Sequence, residues 1–309
     1  MKARGLREEA QDILALELCM ADASPLPFTW EPGAHVDVQL GGGVVRQYSL
    51  TNLADEGCVR LAIKQAEDSR GGSRWLHQQL RVGDRLRVSA PRNLFPLQPG
   101  TGPVLLVAAG IGVTPLLAMY RQCRAEQRPV QLLYFARSAA HGAFTEQLRD
   151  DPAVSLINGL SAAEIGAYLD QHLPQWQADS QLYTCGPDGF MASVQQLAAE
   201  RGWPVSALFQ EHFQAPLVSD SQEAELVLAR SGKRVVVQAG ETLVAAAERV
   251  GVSIPTSCGM GMCGACMTAV VSGEIEHRDQ YLSDAERASG QWIMPCVSTC
   301  TNGKLELDA

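Results

Sequence analysis

Four cysteines in the last third of the chain, Cys258, Cys263, Cys266 and Cys296, follow the pattern Cys-x4-Cys-x2-Cys, with the fourth thiol after 29 intervening residues. At this spacing thiolates hold a [2Fe-2S] cluster. Three thiolates can close round one edge of a cluster only if the chain turns tightly. Gly259, Gly261 and Gly264 supply that turn, because glycine enters positive φ without a steric penalty. They also leave backbone N–H groups near the sulfurs, where hydrogen bonds tune the potential. Zinc is the competing chemistry, but zinc sites pair two short Cys-x2–4-Cys steps, and here one compact triple is matched by a distant single. Cys300 lies four residues beyond Cys296 and is the alternative fourth ligand. Cys296 suits the role better because it follows Pro295 at the usual separation.

A plant-type cluster carries one electron at about −400 mV. A nicotinamide gives up two electrons as a hydride, so a flavin is needed to connect the two. Arg46-Gln47-Tyr48-Ser49 lies on an expected strand, whose two-residue period places Arg46 and Tyr48 on one face and Gln47 and Ser49 on the other. An aromatic ring can stack on an isoalloxazine, a serine hydroxyl can bond a flavin heteroatom, and an arginine fork can meet a phosphate. Arg70-Gly71-Gly72-Ser73 precedes an expected short helix through Trp75, Leu76 and Leu80, with Ser73 as its N-cap. Glycines at a helix start expose N–H groups to a phosphate.

A nucleotide needs a similar cradle. Gly110-Ile111-Gly112-Val113-Thr114-Pro115 follows a buried strand, and Thr114 and Pro115 read as N-cap and first helical residue. Cys185-Gly186-Pro187 ends the last strand of the same region. Both turns fall at the carboxyl ends of strands, where open α/β sheets bind ligands. Arg137, after the second strand, is placed to meet a 2′-phosphate, or else is a solvated surface charge.

The elements that must position these residues form three segments. Residues 1–100 form the first, with short alternating strands from about residue 10 (36–40, 47–50, 59–64 and 85–89 among them), as in a small antiparallel barrel or sandwich. Residues 101–213 alternate continuous apolar strands (104–109, 130–135, 154–158 and 181–185) with helical stretches such as 115–125, the pattern of an open parallel α/β sheet. Residues 214–223 read as a linker. Residues 224–309 then read as hairpin, helix (241–250), cysteine loop and strand, a small α+β module.

Composition narrows the function. The chain has 309 residues with 46% hydrophobic and 19% charged residues, enough for real cores. Its net charge of −9 and lack of a basic run disfavour nucleic acid. An acidic surface can instead steer a basic protein partner. No apolar run reaches the ~18–20 residues that cross a bilayer. The N-terminus lacks a signal-peptide pattern and the nine cysteines are odd in number, so a reducing, cytoplasmic compartment is expected.

In their order, these motifs together with Glu211-His212-Phe213 resemble the phthalate dioxygenase reductase group, which includes the vanillate O-demethylase reductases. The resemblance covers almost the whole chain. It implies an FMN-binding barrel, an NAD(P)H-binding α/β domain and a C-terminal β-grasp ferredoxin domain. Tyr48 would stack on the flavin, Ser49 would lie near its reactive nitrogen, and Arg46, Gly72 and Ser73 would serve the phosphate. Gly110, Gly112, Thr114, Gly186 and Pro187 would cradle the nucleotide, with Cys185 near the nicotinamide ring. Phe213 would close the flavin's other face. NADH is the implied donor, with NADPH open. A Rieske-type oxygenase is the implied electron acceptor. A reductase for another acceptor, such as a cytochrome P450, and a redox sensor are the alternatives.

Overall fold

The computed structural model describes residues 1–41, 44–66, 71–213, 221–256, 259–279 and 281–309. The chain divides into two compact units, Met1–His212 and Phe213–Ala309.

The first unit opens with β1 (Lys2–Ala10), β2 (Ile13–Cys19), β3 (His35–Gln39), β4 (Val45–Ser49), β5 (Val59–Lys64), α1 (Gly72–Gln78) and β6 (Arg87–Val88). Two antiparallel sheets result, ordered β1-β2-β5 and β4-β3-β6. Alternation sends Leu16 and Leu18, Val36 and Val38, and Leu61 and Ile63 into one core, which Leu76 of α1 also enters. The apolar alternation predicts strands only from about residue 10, yet β1 begins at Lys2. Its sequence, KARGLREEA, is too charged to announce a strand, and its pairing with β2 carries two register shifts. Tertiary pairing therefore decides this edge, not local pattern.

The unit continues with β7 (Val104–Ala109), α2 (Val113–Ala125), β8 (Val130–Ala136), α3 (Thr145–Leu148), β9 (Val154–Asn158), α4 (Ala162–His172), β10 (Gln181–Cys185), α5 (Asp188–Glu200) and β11 (Leu208–Glu211). These five strands are parallel and ordered β11-β10-β7-β8-β9. Leu106 and Ala108 of β7 face one core and Leu105 and Val107 another, which is why this strand is apolar throughout. Burying one such leucine fully contributes about 1.5–3 kcal/mol. The chain runs outward through β8 and β9 and then returns to β10 on the other side of β7. The strand order thus reverses between β7 and β10, and the crevice at their carboxyl ends is the expected ligand position. The fifth strand, β11, was not expected from sequence; it is four residues long and has no alternation. Ile13, Ala62 and Phe95 pack with α2 and the parallel sheet in a shared core, which joins the two halves of the unit.

The second unit contains β12 (Ala224–Leu228), β13 (Lys233–Val237), α6 (Leu243–Arg249), β14 (Thr268–Glu276), α7 (Asp284–Ser289), β15 (Trp292–Ile293) and β16 (Thr299–Leu307). Its mixed sheet is ordered β13-β12-β16-β14-β15, with β12 parallel to β16. Leu243, Ala246 and Ala247 of α6 pack on Leu226, Leu228, Val235 and Val237, so the sheet grasps the helix. Thr242 caps α6 by accepting from the Ala245 N–H, and Gly251, at φ 72°, lies just past its end. Of the expected linker, residues 214–220 lie outside the described residues.

Candidate redox site

Register fixes which side chains of β3 and β4 share a face. Val36 pairs with Tyr48 and Val38 with Arg46, while His35 pairs with Ser49 and Asp37 with Gln47. Tyr48 packs against the core that holds Val36 and Val38, and burial pushes its phenol up to about 12. Its ring is therefore neutral at any working pH. On the opposite face, Gln47 donates to Asp37 Oδ1 at 3.0 Å, and Arg92 donates to both Asp37 oxygens at 2.8 Å. Burial, followed by the nearby Arg92 charge, lowers His35 to about 4. Gln47 is thus tied into a protein network on the face away from Tyr48.

The start of α1 differs from the sequence expectation. Gly71, at φ 97°, is the N-cap, and Ser73 lies inside the helix, where its Oγ accepts from the Ala66 N–H at 3.1 Å. Glycine displaces serine because the chain enters this helix through a left-handed residue. A Cβ on Gly72 would fall 2.9 Å from Cγ and Nε of Arg46, so the guanidinium stem lies over the helix start. A cavity of about 300 Å³ opens there, lined by Val44, Gly71, Gly72, Arg74 and Trp75 among others. Two glycines, arginines and an open space are a fitting seat for the phosphate of a flavin nucleotide. Arg70 lies outside the described residues.

At the nucleotide crevice, Gly110–Gly112 form a 3-10 turn and α2 starts at Val113. Gly112, rather than Thr114, is the N-cap. Thr114 stands in the first turn and its hydroxyl donates to the Ile111 carbonyl at 2.9 Å. A Cβ on Gly112 would collide with the carbonyl of Cys185 and fall 2.8 Å from the nitrogen of Gly186. A Cβ on Gly186 would fall 2.8 Å from Cβ of Ala109. The two turns therefore interlock at the crevice, with Pro187 as N-cap of α5. Cys185 is fully buried, and burial holds its thiol well above the usual range. A second cavity, of about 240 Å³ near Pro103, Pro129 and Trp203, lies at the amino-terminal edge of the sheet, away from this crevice.

Arg137 is exposed beyond β8 and donates to His141 Nε2 at 2.7 Å, while Ser138 Oγ meets the other ring nitrogen at 2.8 Å. Phe213 begins the second unit and is 39% exposed. Glu211, buried at the end of β11, is a functional candidate that spacing alone did not single out. The signal was a charged residue closing a short apolar strand.

In the second unit the sulfurs of Cys266 and Cys296 stand 3.2 Å apart, too far for a disulfide. Met294 Sδ lies 3.8 Å from the Cys266 sulfur. Cys300 lies in β16, paired with Ile275 of β14, so Cys296 is the thiol brought to Cys266. Cys258 lies outside the described residues. Gly261 and Gly264 adopt φ of 72° and 73°. A Cβ on Gly261 would fall 2.5 Å from Val297 Cγ2, and one on Gly264 would fall 2.7 Å from Cε2 of Tyr281. The loop has no room for a side chain at Gly261 or Gly264, and the converging thiols of Cys266 and Cys296 are the donor chemistry that iron–sulfur clusters require.

Comparison with known proteins agrees with this geometry. Residues 226–301 match the 2Fe-2S iron-sulfur cluster binding domain family. Residues 89–208 match the dimethylamine monooxygenase subunit DmmA-like N-terminal domain. The chain is 40% identical to vanillate O-demethylase oxidoreductase from Pseudomonas sp., over 98% of this chain and 97% of that one. It is 41% identical to a putative toluene-4-sulfonate monooxygenase system reductase subunit from Comamonas testosteroni, over 98% and 96%. The solved structure of phthalate dioxygenase reductase, described as modular for electron transfer from pyridine nucleotides to [2Fe-2S], superposes with a TM-score of 0.77. It is 32% identical and covers 100% of this chain and 97% of its own.

Fold and site thus define an electron-transfer oxidoreductase that joins a pyridine nucleotide, a flavin and a [2Fe-2S] domain. The chain belongs to the family of vanillate O-demethylase oxidoreductase and phthalate dioxygenase reductase, the reductase components of oxygenase systems. No helix among the described residues is long and apolar enough to cross a membrane.

Proposed function

We propose that this chain draws electrons from NADH and delivers them to a Rieske-type oxygenase in the cytoplasm, with FMN as its flavin. The observation that carries the reading is the pair of interlocked glycine turns at the sheet crossover, in one chain with a loop of converging thiols. The flavin supplies the exchange between two-electron and one-electron chemistry, and the cluster supplies a one-electron carrier.

The remaining work is binding and orientation by this chain. Tyr48 offers an aromatic face for the isoalloxazine, Ser49 a hydroxyl at the end of the same strand, and Arg46 with Gly71, Gly72 and Ser73 the phosphate seat. Gly110, Gly112 and Thr114, with Cys185, Gly186 and Pro187, form the nucleotide crevice. Cys258, Cys263, Cys266 and Cys296 ligate iron. Residues 1–100, 101–213 and 224–309 form the flavin, nucleotide and ferredoxin domains. The oxygenase acceptor is supported by the relatives named as monooxygenase and dioxygenase reductases.

Anaerobic titration of the purified protein tests this. NADH should bleach the flavin band and then the cluster band, and flavin released by denaturation should co-migrate with FMN. A colourless protein, or release of FAD, would sink the corresponding part. The Arg137 guanidinium is on the surface, so Arg137→Ala should weaken NADPH by about fivefold and leave NADH unchanged, the size expected of one exposed charge contact. Equal effects on both donors would remove Arg137 from the nucleotide site. Electron transfer to a haem acceptor in preference to a Rieske centre would redirect the partner assignment.

A further inference from the structure

Asp279 lies between β14 and α7, and its side chain is 0% exposed. Its Oδ2 accepts from the N–H groups of Tyr281, at 3.2 Å, and Leu282, at 2.9 Å. Its Oδ1 accepts from Ser298 Oγ at 3.2 Å, and Ser298 Oγ accepts in turn from the Arg278 N–H at 3.1 Å. His277 Nδ1 stands 3.4 Å from Oδ1, and Arg287 Nη2 stands 3.8 Å from Oδ2. Arg287 Nη2 also donates to the Asp279 carbonyl at 2.6 Å.

These bonds join two stretches of chain that border the thiol loop. Ser298 follows Cys296 in the sequence Cys296-Val297-Ser298. A Cβ on Gly261 would fall 3.0 Å from Cα of Asp279, so the Asp279 backbone is packed on the loop just before Cys263. A Cβ on Gly264 would fall 2.4 Å from Cζ of Tyr281, so the Tyr281 ring lies on the loop between Cys263 and Cys266. That ring is 47% exposed and gains only part of the free energy of burial. Its backbone is held instead by the Asp279 carboxyl group, together with that of Leu282, whose side chain is buried in the core of the unit. A wholly buried carboxyl group costs free energy unless donors meet it, and here two N–H groups and a hydroxyl do. An apolar residue would spare that cost but could not hold Tyr281, Leu282 and Ser298 together.

We propose that Asp279 is a positioning residue for the [2Fe-2S] centre: a buried latch that fixes Tyr281 over the thiol loop and ties it to the stretch after Cys296, so that water is kept from the iron. The assignment rests on the cysteine ligand set given above. Asp279 acts through its hydrogen bonds and not as a ligand. Groups around a metal site that orient its ligands and exclude solvent govern how firmly the metal is held.

The test uses the full, cofactor-loaded chain. It follows loss of the cluster's visible absorption in the presence of EDTA, with visible circular dichroism of the cluster as a second readout. Asp279→Ala should speed that loss about tenfold, the low end of what such outer partners contribute to metal affinity, and should alter the dichroism. Asp279→Asn should stay close to wild type in both. Its amide oxygen can take the place of Oδ2, and its N–H can donate to Ser298 Oγ, which has a second acceptor site. Tyr281→Ala removes the ring and none of these hydrogen bonds. It should speed the loss several-fold while the thermal midpoint stays near that of wild type. Should Asp279→Ala not fold, Ser298→Ala takes its place, because it cuts the tie to the Cys296 stretch. A wild-type rate of loss in that variant or in Asp279→Ala, a loss in Asp279→Asn as fast as in Asp279→Ala, or no effect of Tyr281→Ala would each overturn the assignment. A wild-type chain that takes up no iron would instead refute the ligand reading.

Discussion

Cys263→Ser will leave NADH-driven bleaching of the flavin at its wild-type rate and cut cytochrome c reduction by about a hundredfold or more, the consequence of losing one of the four thiolates proposed to ligate iron. The asymmetry follows from how the chain is divided. Cys263 belongs to the second unit, whose core is built from its own residues, including Leu226, Val235, Ala246 and Leu305. Tyr48, Ser49 and the glycine turns belong to the first unit and draw on separate cores. A defect in the thiol loop therefore falls in a core that contains no residue of the first unit. Iron content should fall and flavin content should not. Stopped-flow traces at the flavin band, set beside steady-state cytochrome c assays, read the two steps apart. Equal loss of both activities would mean that the two units do not divide the work in this way.

Much of this architecture is readable in the sequence where one physical signal dominates. Strands 104–109, 154–158 and 181–185 have the same limits in sequence and structure; for 104–109 the reason is that a parallel strand buried on both faces must be apolar throughout. The helix-start residues were less legible. Ser73 and Thr114 have good capping chemistry, but Gly71 and Gly112 take the N-cap positions, since the path of the chain into each helix overrides side-chain preference. β1 was hidden by its charges and β11 by its length. Spacing favours Cys296 over Cys300 as the fourth thiol; in the structure the Cys296 sulfur lies 3.2 Å from that of Cys266, while Cys300 lies in β16 opposite Ile275 of β14. Glu211 enters the sequence reading only within the motif Glu211-His212-Phe213, with no role of its own. Its interest lies in burial and an unpartnered oxygen, and neither is a property of local sequence.

Gly112→Ala should be the most damaging small change in the nucleotide crevice. Gly112 has φ of −61°, an ordinary helical value, so alanine meets no conformational penalty there. The obstacle is steric: the new methyl group would overlap the carbonyl of Cys185. That carbonyl cannot retreat, because β10 is paired on both sides, with β7 and β11, and Cys185 is fully buried. The turn after β7 must therefore move, and it moves the proposed nucleotide seat with it. Overpacking of this kind costs about 1–3 kcal/mol, so the thermal midpoint should fall and NADH affinity should drop by about tenfold or more. Gly110→Ala is the matched control. It has φ of 55° and open space around its Cβ, so it carries backbone strain without collision. Its effect on NADH affinity should be clearly smaller, and Gly110→Asn should recover part of it, since asparagine tolerates the left-handed region. Flavin and iron contents should stay at wild-type levels in all three variants. If Gly112→Ala binds NADH as tightly as the wild type, the two turns are not interlocked as described, and the nucleotide seat must be sought elsewhere along the sheet edge.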